Sequence, residues 1–320
     1  MKRKSLIYSL FLKGGVILFL FLIQFVLPTY HHSSFSKIMI LASYAIAYNF
    51  LLGYTGLMSL GHAMFFASGM YSAGLSILYL GFTPLEGIIF GTLFSLTISL
   101  IFGLFALRTS GVSFLIVTLM FGQTLYLAIL YYNEFTFGQD GFSITNYLGS
   151  LVIFGKEHLY SNPTIRYNFA LIMLAVYLLI TTIIILSPIG RILIAIRENE
   201  ARTELLGYNV FSYKLFALTF SGTLAGISGA MHALLFSYIG TTFAEIHHSI
   251  SPLLWTLLGG AGTVIGPLLG TGVMYYLIDF ISGITSNYLL VVGIILVLTI
   301  IWFPLGIMGT LRQRWIKWLP

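Results

Sequence analysis

The chain contains no cysteine, which excludes disulfide frameworks and thiolate metal sites. Charge is scarce as well: Asp, Glu, Lys and Arg make up 8% of 320 residues, against roughly 25% in a soluble domain. With 58% hydrophobic residues and a mean hydropathy of +0.98, that shortage excludes a soluble globule, whose core has no room for so much apolar surface. Carboxylates are the rarer sign, nine against 15 Lys and Arg, and the formal net charge is +6. The cations gather at the ends of apolar runs, as the positive-inside rule expects, so the excess points to a lipid bilayer and not to nucleic acid.

Catalytic signatures are missing too. A phosphate-binding loop fails because Gly149 to Gly155-Lys156 has the wrong spacing and Glu157 stands in the Ser/Thr place. Gly260-x-Gly262-x-x-x-Gly266 lacks both the spacing and the strand–helix context of a dinucleotide fingerprint. There is no HExxH, and His31-His32 and His247-His248 are vicinal pairs at outer span ends, poorly spaced to share a metal on a helix. No catalytic, cofactor-binding or metal residue is assigned, and no cofactor is expected.

What is present is a series of apolar runs, each near the 17–25 residues a spanning helix needs. They fall at about 14–30, 37–53, 60–80, 84–107, 111–132, 167–187, 212–238, 248–263, 264–282 and 286–304. The expectation is an all-α integral membrane protein, a polytopic helical bundle of about ten spans (8–10), residues 1–320 forming one transmembrane domain. The basic start, Lys2, Arg3, Lys4 and Lys13, precedes the apolar run Val16–Leu27 without a small-x-small cleavage site, and reads as a retained first span with its N-terminus inside. Alternating from there, the long segment 133–166, with Glu134, Asp140 and Glu157, falls outside; it reads as a disordered loop or as a docking surface. The short segment 248–263 carries Pro252. It has to cross if Arg312, Arg314 and Lys317 are to lie inside with the N-terminus. Asp279, His232 and Glu86 read as interface positions near span ends.

Two stretches echo one another. Leu51-Leu52-Gly53-Tyr54-Thr55-Gly56 recurs in outline as Leu257-Leu258-Gly259-Gly260-Ala261-Gly262, each before a glycine-rich helix. Paired glycine-broken segments in two halves point to a transport pathway, and equally such glycines serve close helix packing. Asn49, Gly53, Gly56, Ser59, His62, Gln123, Gly259, Gly260 and Gly262 are the candidate path residues. The polar ones either line a path or hydrogen-bond between helices.

Seven charged residues crowd into Gly190–Lys214, GRILIAIRENEARTELLGYNVFSYK, an island of charge at about 188–214. Arg191 to Leu206 holds no proline or glycine, which predicts a helix of about four turns closed by Gly207, with Asn209 assisting the turn. Ile192, Ala195, Ile196, Thr203 and Leu206 fall near one face, and Glu198 and Arg202 are spaced to pair at i, i+4, whereas Glu200 and Glu204 repel. Such an amphipathic helix is either membrane-surface structure or a contact for a soluble subunit.

The island and the helix after it, GRILIAIRENEARTELLGYNVFSYKLFALTFSGTLAGISGAM, resemble the cytoplasmic loop region of LivM-type permeases of branched-chain amino-acid ABC importers. GYTGLMSLGHAMFFASGMYSAG (Gly53–Gly74) is similar to that family's GYxGxxSLGHAxFxxxGAY signature, and LLGGAGTVIGPLLG (Leu257–Gly270) to its LGGxGSxxGPxxGA signature. Met64, Met70 and Thr263 depart from the commoner residues, and Glu200-Ala201-Arg202 before Gly207 departs from a strict EAA loop. The resemblance implies a non-catalytic permease of a bacterial inner membrane, both termini cytoplasmic, passing Leu, Ile or Val. It implies four kinds of neighbour: a LivH-type second permease, two cytoplasmic ATP-binding subunits, a periplasmic substrate-binding protein and the bilayer. It places ATPase coupling on Arg191, Arg197, Glu198, Glu200, Arg202, Glu204 and Gly207. The alternatives are a permease for urea or amides and an ion-coupled secondary transporter, the latter opposed by the want of deep carboxylates.

Overall fold

A computed structural model describes residues 2–153, 156–159 and 162–314. Lys317, Gly155 and part of the outer segment lie outside the described residues. In chain order the elements are α1 (Lys2–Ile23), α2 (Thr29–Thr55), α3 (His62–Leu80), α4 (Pro84–Ala106), α5 (Gly111–Tyr131) and the single turn α6 (Asn133–Thr136). Three short strands follow, β1 (Phe142–Ser143), β2 (Ser150–Ile153) and β3 (Lys156–Leu159), and then α7 (Pro163–Leu186), α8 (Pro188–Glu198), α9 (Glu200–Leu205) and α10 (Val210–Phe236). The chain continues through β4 (Tyr238–Ile239) to α11 (Ile246–Gly259), α12 (Gly266–Ser282), α13 (Tyr288–Trp302) and α14 (Gly306–Arg314).

Among the described residues six helices are long and apolar enough to cross a membrane: α2 from His31, α3, α4, α5, α7 and α10. Four further helices, α1, α11, α12 and α13, pack with them, of which α1 and α13 hold the shorter apolar stretches Phe11–Ile23 and Leu290–Thr299. Helix α1 runs antiparallel to α7: Lys13 donates from Nζ to Thr182 Oγ1 at 2.7 Å near the end of α7, and Tyr167 near its start donates to the Leu20 carbonyl. Helices α11, α12 and α13 run to and fro between two ends. Gly260, after α11, lies against Gly306, after α13, whereas Tyr276 near the end of α12 meets Phe35 near the start of α2 at 6.2 Å between ring centroids. Helix α11, with 14 residues, falls short of the roughly 17–25 that a crossing needs, and His248 near its start packs on Tyr44 in the middle of α2. The first expected span, 14–30, is corrected: α1 stops at Ile23 and α2 begins at Thr29, because Pro28 has no N–H to carry a helix through it.

Helix α2 is the axis. It is almost wholly buried among α7, α10, α11 and α12, while α4 and α5 are mostly open and form a lipid-facing side. Lipid tails are as apolar as leucine, so burial from lipid supplies no hydrophobic drive; packing and hydrogen bonds hold the helices. Hence the glycines of α3 and α10. Gly69 lies directly on the Gly226 carbonyl, and Gly226 on Ser95 of α4, leaving no room for a Cβ between backbones. At the end of the bundle away from the charged island β1 pairs antiparallel with β4 (Phe142 with Ile239), tying segment 133–166 to the exit of α10, and β2 pairs with β3. That segment is therefore built at these places, against the reading of a disordered loop.

Gly69→Ala is expected to destabilise the protein by about 1–3 kcal/mol, the usual cost of overpacking. Gly272, with nothing within 4 Å of a built Cβ, is the control. Thermal unfolding in detergent should give a lowered Tm for Gly69→Ala and an unchanged or raised one for Gly272→Ala.

Candidate functional site

The two broken segments meet. Helix α2 ends at Thr55, with Gly56 in the left-handed conformation (φ 75°) as its C-cap, and the chain turns back through 57–61 to begin α3 at His62. Helix α11 ends at Gly259, and 260–265 turn back into α12, with Gly260 (φ 114°) and Gly262 (φ 77°) in conformations that side chains rarely adopt. Asn49 brackets this second turn from α2: its Nδ2 donates to the Thr263 carbonyl at 2.9 Å, and its Oδ1 accepts from the Gly262 amide at 2.9 Å. One buried amide thus satisfies two peptide groups that helix breakage had freed. Gly53, one turn along α2, lies so close that a Cβ there would stand 2.5 Å from the Gly262 nitrogen.

The charged island reaches the same point. Arg197, near the end of α8, donates from Nη1 to the Gly53 carbonyl, and a Cβ on Gly262 would stand 3.0 Å from that same nitrogen. Its stem passes over Gly56, at 3.3 Å from a built Cβ. A cleft of about 530 Å³ opens beside it, lined by Arg197, Ala261, Gly262, Thr263, Leu305, Gly309 and Gln313.

The island differs from the single four-turn helix that its sequence predicts. Asn199 is extended (φ −160°, ψ 103°), ending α8 and capping α9, its Oδ1 accepting from the Arg202 amide at 2.9 Å. Asparagine competes with the helix for its own backbone and is as good an N-cap as any residue. The break removes the i, i+4 register, so the expected Glu198–Arg202 pair is absent among the described residues; the ion pair formed is Glu200–Lys214, at 2.5 Å. Gly190, Leu193, Ile196 and Thr203 face inward. Leu206, expected on the apolar face, is 69% exposed and Leu205 88%, beside exposed Glu200 and Glu204. Arg191, Glu198 and Arg202 are also exposed. Gly207 (φ 89°) does close α9, its amide on the Glu204 carbonyl at 2.8 Å, and Asn209 caps α10, accepting from Ser212 at 3.1 Å.

Above the junction the first turn is held by polar groups. Tyr48 donates to the Ser59 carbonyl at 2.9 Å, Thr118 accepts from the Leu60 amide at 3.2 Å, and Ser249 of α11 accepts from the Ala63 amide at 2.8 Å. His62 lies 2.8 Å from Ser221, whose single hydroxyl hydrogen goes to the Ala47 carbonyl. His62 therefore donates from Nε2, and its Nδ1 is a bare, buried lone pair. Asn49, Gly53, Gly56, Ser59, His62, Gly260 and Gly262 are thus brought together, and Gly259 backs onto Gly266. Gln123 stays apart, half-buried on α5. Sequence reasoning missed Tyr48, Ser221, Ser249 and Thr263; the small-residue stripe of α10 was the visible signal for Ser221 alone.

His232, one turn from the end of α10, is 2% exposed, and of the pair His247-His248 only His247 is exposed, while His248 stacks on Tyr44 of α2 at 5.3 Å. Glu86 is the exposed partner of Thr83 in the capping box of α4, and Asp279 is exposed on α12.

Comparison with known proteins gives the same picture. The family described as "Branched-chain amino acid transport system / permease component" matches residues 32–300. The high-affinity branched-chain amino acid transport system permease protein LivM of Salmonella typhimurium is 28% identical over 305 residues, covering 86% of this chain and 69% of its own. Its Escherichia coli counterpart is 27% identical over 300 residues with the same coverage. The ribose import permease protein RbsC of Haemophilus influenzae is 29% identical over 120 residues, 35% of this chain and 37% of its own. No solved structure matches significantly. A multi-pass helical bundle whose broken segments meet a charged loop, the chain is matched over most of its length and belongs to the family of permease components of branched-chain amino acid transport systems.

Proposed function

We propose that this chain is the LivM-type transmembrane subunit of an ABC importer, passing leucine, isoleucine or valine across a bacterial inner membrane. Its partners in this reading are a LivH-type permease, two cytoplasmic ATP-binding subunits and a periplasmic binding protein. The observation that carries the reading is the bond from Arg197 to the Gly53 carbonyl, beside Gly262. A charge-assisted contact fastens the amphipathic island to the junction of both broken segments. Helix α9 offers Leu205 and Leu206, with Glu200 and Glu204 beside them, to a soluble partner. Next to it lies a polar cleft of about 500 Å³ between Leu107, Glu204, Tyr208 and Phe211.

In mechanism, closure of the ATP-binding subunits displaces α8 and α9. Arg197 carries the displacement to Gly53 and Gly262, Asn49 holds the two turns in register, and the permease passes between outward- and inward-open states. The chain supplies no energy and performs no catalysis. Asn49, Gly53, Gly56, Ser59, His62, Gly259, Gly260 and Gly262 line or frame the path, and Gln123 is left out of it. Arg191, Glu198 and Arg202 complete the coupling surface. Both termini share the cytoplasmic side with the island. The likeness to a ribose permease over a third of the chain favours one second reading, the same machine with another small polar cargo.

In the importer reconstituted in proteoliposomes, Arg197→Gln is expected to lower ATP-driven leucine uptake about tenfold or more, the worth of one charge-assisted hydrogen bond. The ATP-binding subunits should still copurify. Uptake equal to the unsubstituted protein's would refute transmission through Arg197, and ribose uptake in place of leucine would establish the second reading.

A thiol placed by Asn199→Cys, in a chain with no other cysteine, is expected to react with an impermeant maleimide only from the cytoplasmic side. Binding of the ATP-binding subunits should protect it. Labelling from the periplasm would reverse the proposed orientation and remove the island from any cytoplasmic motor.

A further inference from the structure

Of the buried imidazole nitrogens without a hydrogen-bond partner among the described residues, three belong to one cluster: both of His232 on α10 and Nε2 of His248 on α11. Buried polar groups in a bilayer almost always find partners, and an intramembrane ionisable residue marks function by default. Rings enclose these two. From His232 the centroids of Phe243, Phe236 and Phe66 lie at 4.5, 4.9 and 5.9 Å, and from His248 those of Phe66, Phe243 and Tyr44 at 4.7, 5.3 and 5.3 Å. Tyr44 donates its hydroxyl to the His248 carbonyl at 3.1 Å, fixing α11 against α2.

We infer that His232, His248 and the rings around them form a recognition station for the ammonium group of a zwitterionic solute. A neutral imidazole presents one bare lone pair, and an aromatic face presents negative potential. Together they suit a group that is cationic and rich in N–H donors, which is a primary ammonium. A carboxylate could take only the remaining imidazole N–H and is repelled by the ring faces. Hard inorganic cations want several oxygen ligands, and among the described residues no three His, Asp or Glu are grouped for a metal. Lys37 and Arg166 stand over the Phe236 ring, at 6.0 and 5.5 Å. Fixed positive charge there disfavours a solute bearing only positive charge and accommodates one that brings its own carboxylate. In this conformation the rings fill the cage, so the station opens only when α11 and α10 part. The inference rests on the proposed passage of an amino acid through this chain and adds where, and by which atoms, its ammonium is read.

The test uses the intact importer in lipid nanodiscs and photo-leucine, a zwitterion carrying a diazirine, beside the diazirine acid that lacks the amino group. On illumination photo-leucine should cross-link within 232–248, mapped by mass spectrometry, in competition with excess leucine. His232→Leu should reduce that labelling about tenfold, as expected for a desolvated cation–π and acceptor contact. The acid should leave the segment unlabelled. Where His232→Leu does not yield a monodisperse protein, His248→Leu takes its place. Unchanged labelling in the variant, equal labelling by the acid, or labelling confined to other segments would overturn the station. ATPase stimulation, read in the same nanodiscs, separates the two ideas. Its absence from the unsubstituted complex refutes the importer reading, and its presence without labelling of 232–248 refutes the station alone.

Discussion

A peptide group freed from a helix inside a bilayer has no water to turn to, and everything near the junction follows from that constraint. Two helices stop within the protein, α2 at Thr55 and α11 at Gly259, and each break exposes amides and carbonyls. The breaks close one another. Asn49 accepts from the Gly262 amide and donates to the Thr263 carbonyl, so the amide on α2 stands in for the helical partners that the second turn has lost. The bracket works only because Gly53 has no side chain to hold the turn away. The first turn is satisfied by Tyr48, Thr118 and Ser249, drawn from three different helices. Breaking the two helices at the junction thus commits residues all around the bundle.

That commitment makes the junction a place where small displacements have large effects. Close-packed interiors do not deform continuously; they hold one arrangement or switch to another. Gly53 against Gly262 leaves no slack, and both turns depend on hydrogen bonds to α2. In the proposed reading, a movement of α8 passes through Arg197 to the Gly53 carbonyl, beside the turn at Gly262.

Much of the architecture could be read from residue order. The all-helical bundle with its long apolar helices and its glycine-broken segments rests on local signals that survive folding: apolar length, proline at helix starts, and glycine where φ is positive. The closure of α9 by Gly207 is of the same kind. Asn199 illustrates the other case. An asparagine flanked by charges is tolerated inside a helix and favoured at its N-cap, and local sequence does not rank the two; the N-cap outcome split the island and dissolved the Glu198–Arg202 pair. Convergence in space is harder still. Asn49 and Gly262 are 213 positions apart, and His232 and His248 sit on successive helices whose facing surfaces no periodicity announces. Gln123 was chosen for being polar in an apolar run, and that property alone does not aim a side chain at anything.

The placement of charge decides what kind of engine can drive such a bundle. Of the nine carboxylates, Glu157 lies among side chains that are not described and Glu245 is half-buried at the start of α11. Glu86, Glu134, Asp140, Glu198, Glu200, Glu204 and Asp279 are all exposed. None of these eight sits at the middle of a described span, where an ion-coupled carrier needs an acid to bind and release its proton or sodium. The buried Lys13 is already bonded to Thr182 at the edge of the bundle, and the histidines of the interior are set among rings and not beside acids. That distribution favours the proposed reading, in which force is applied from outside the bilayer, over an ion-coupled carrier. Among the described residues, the charged, amphipathic surface bonded to the junction is the island, through Arg197 near the end of α8.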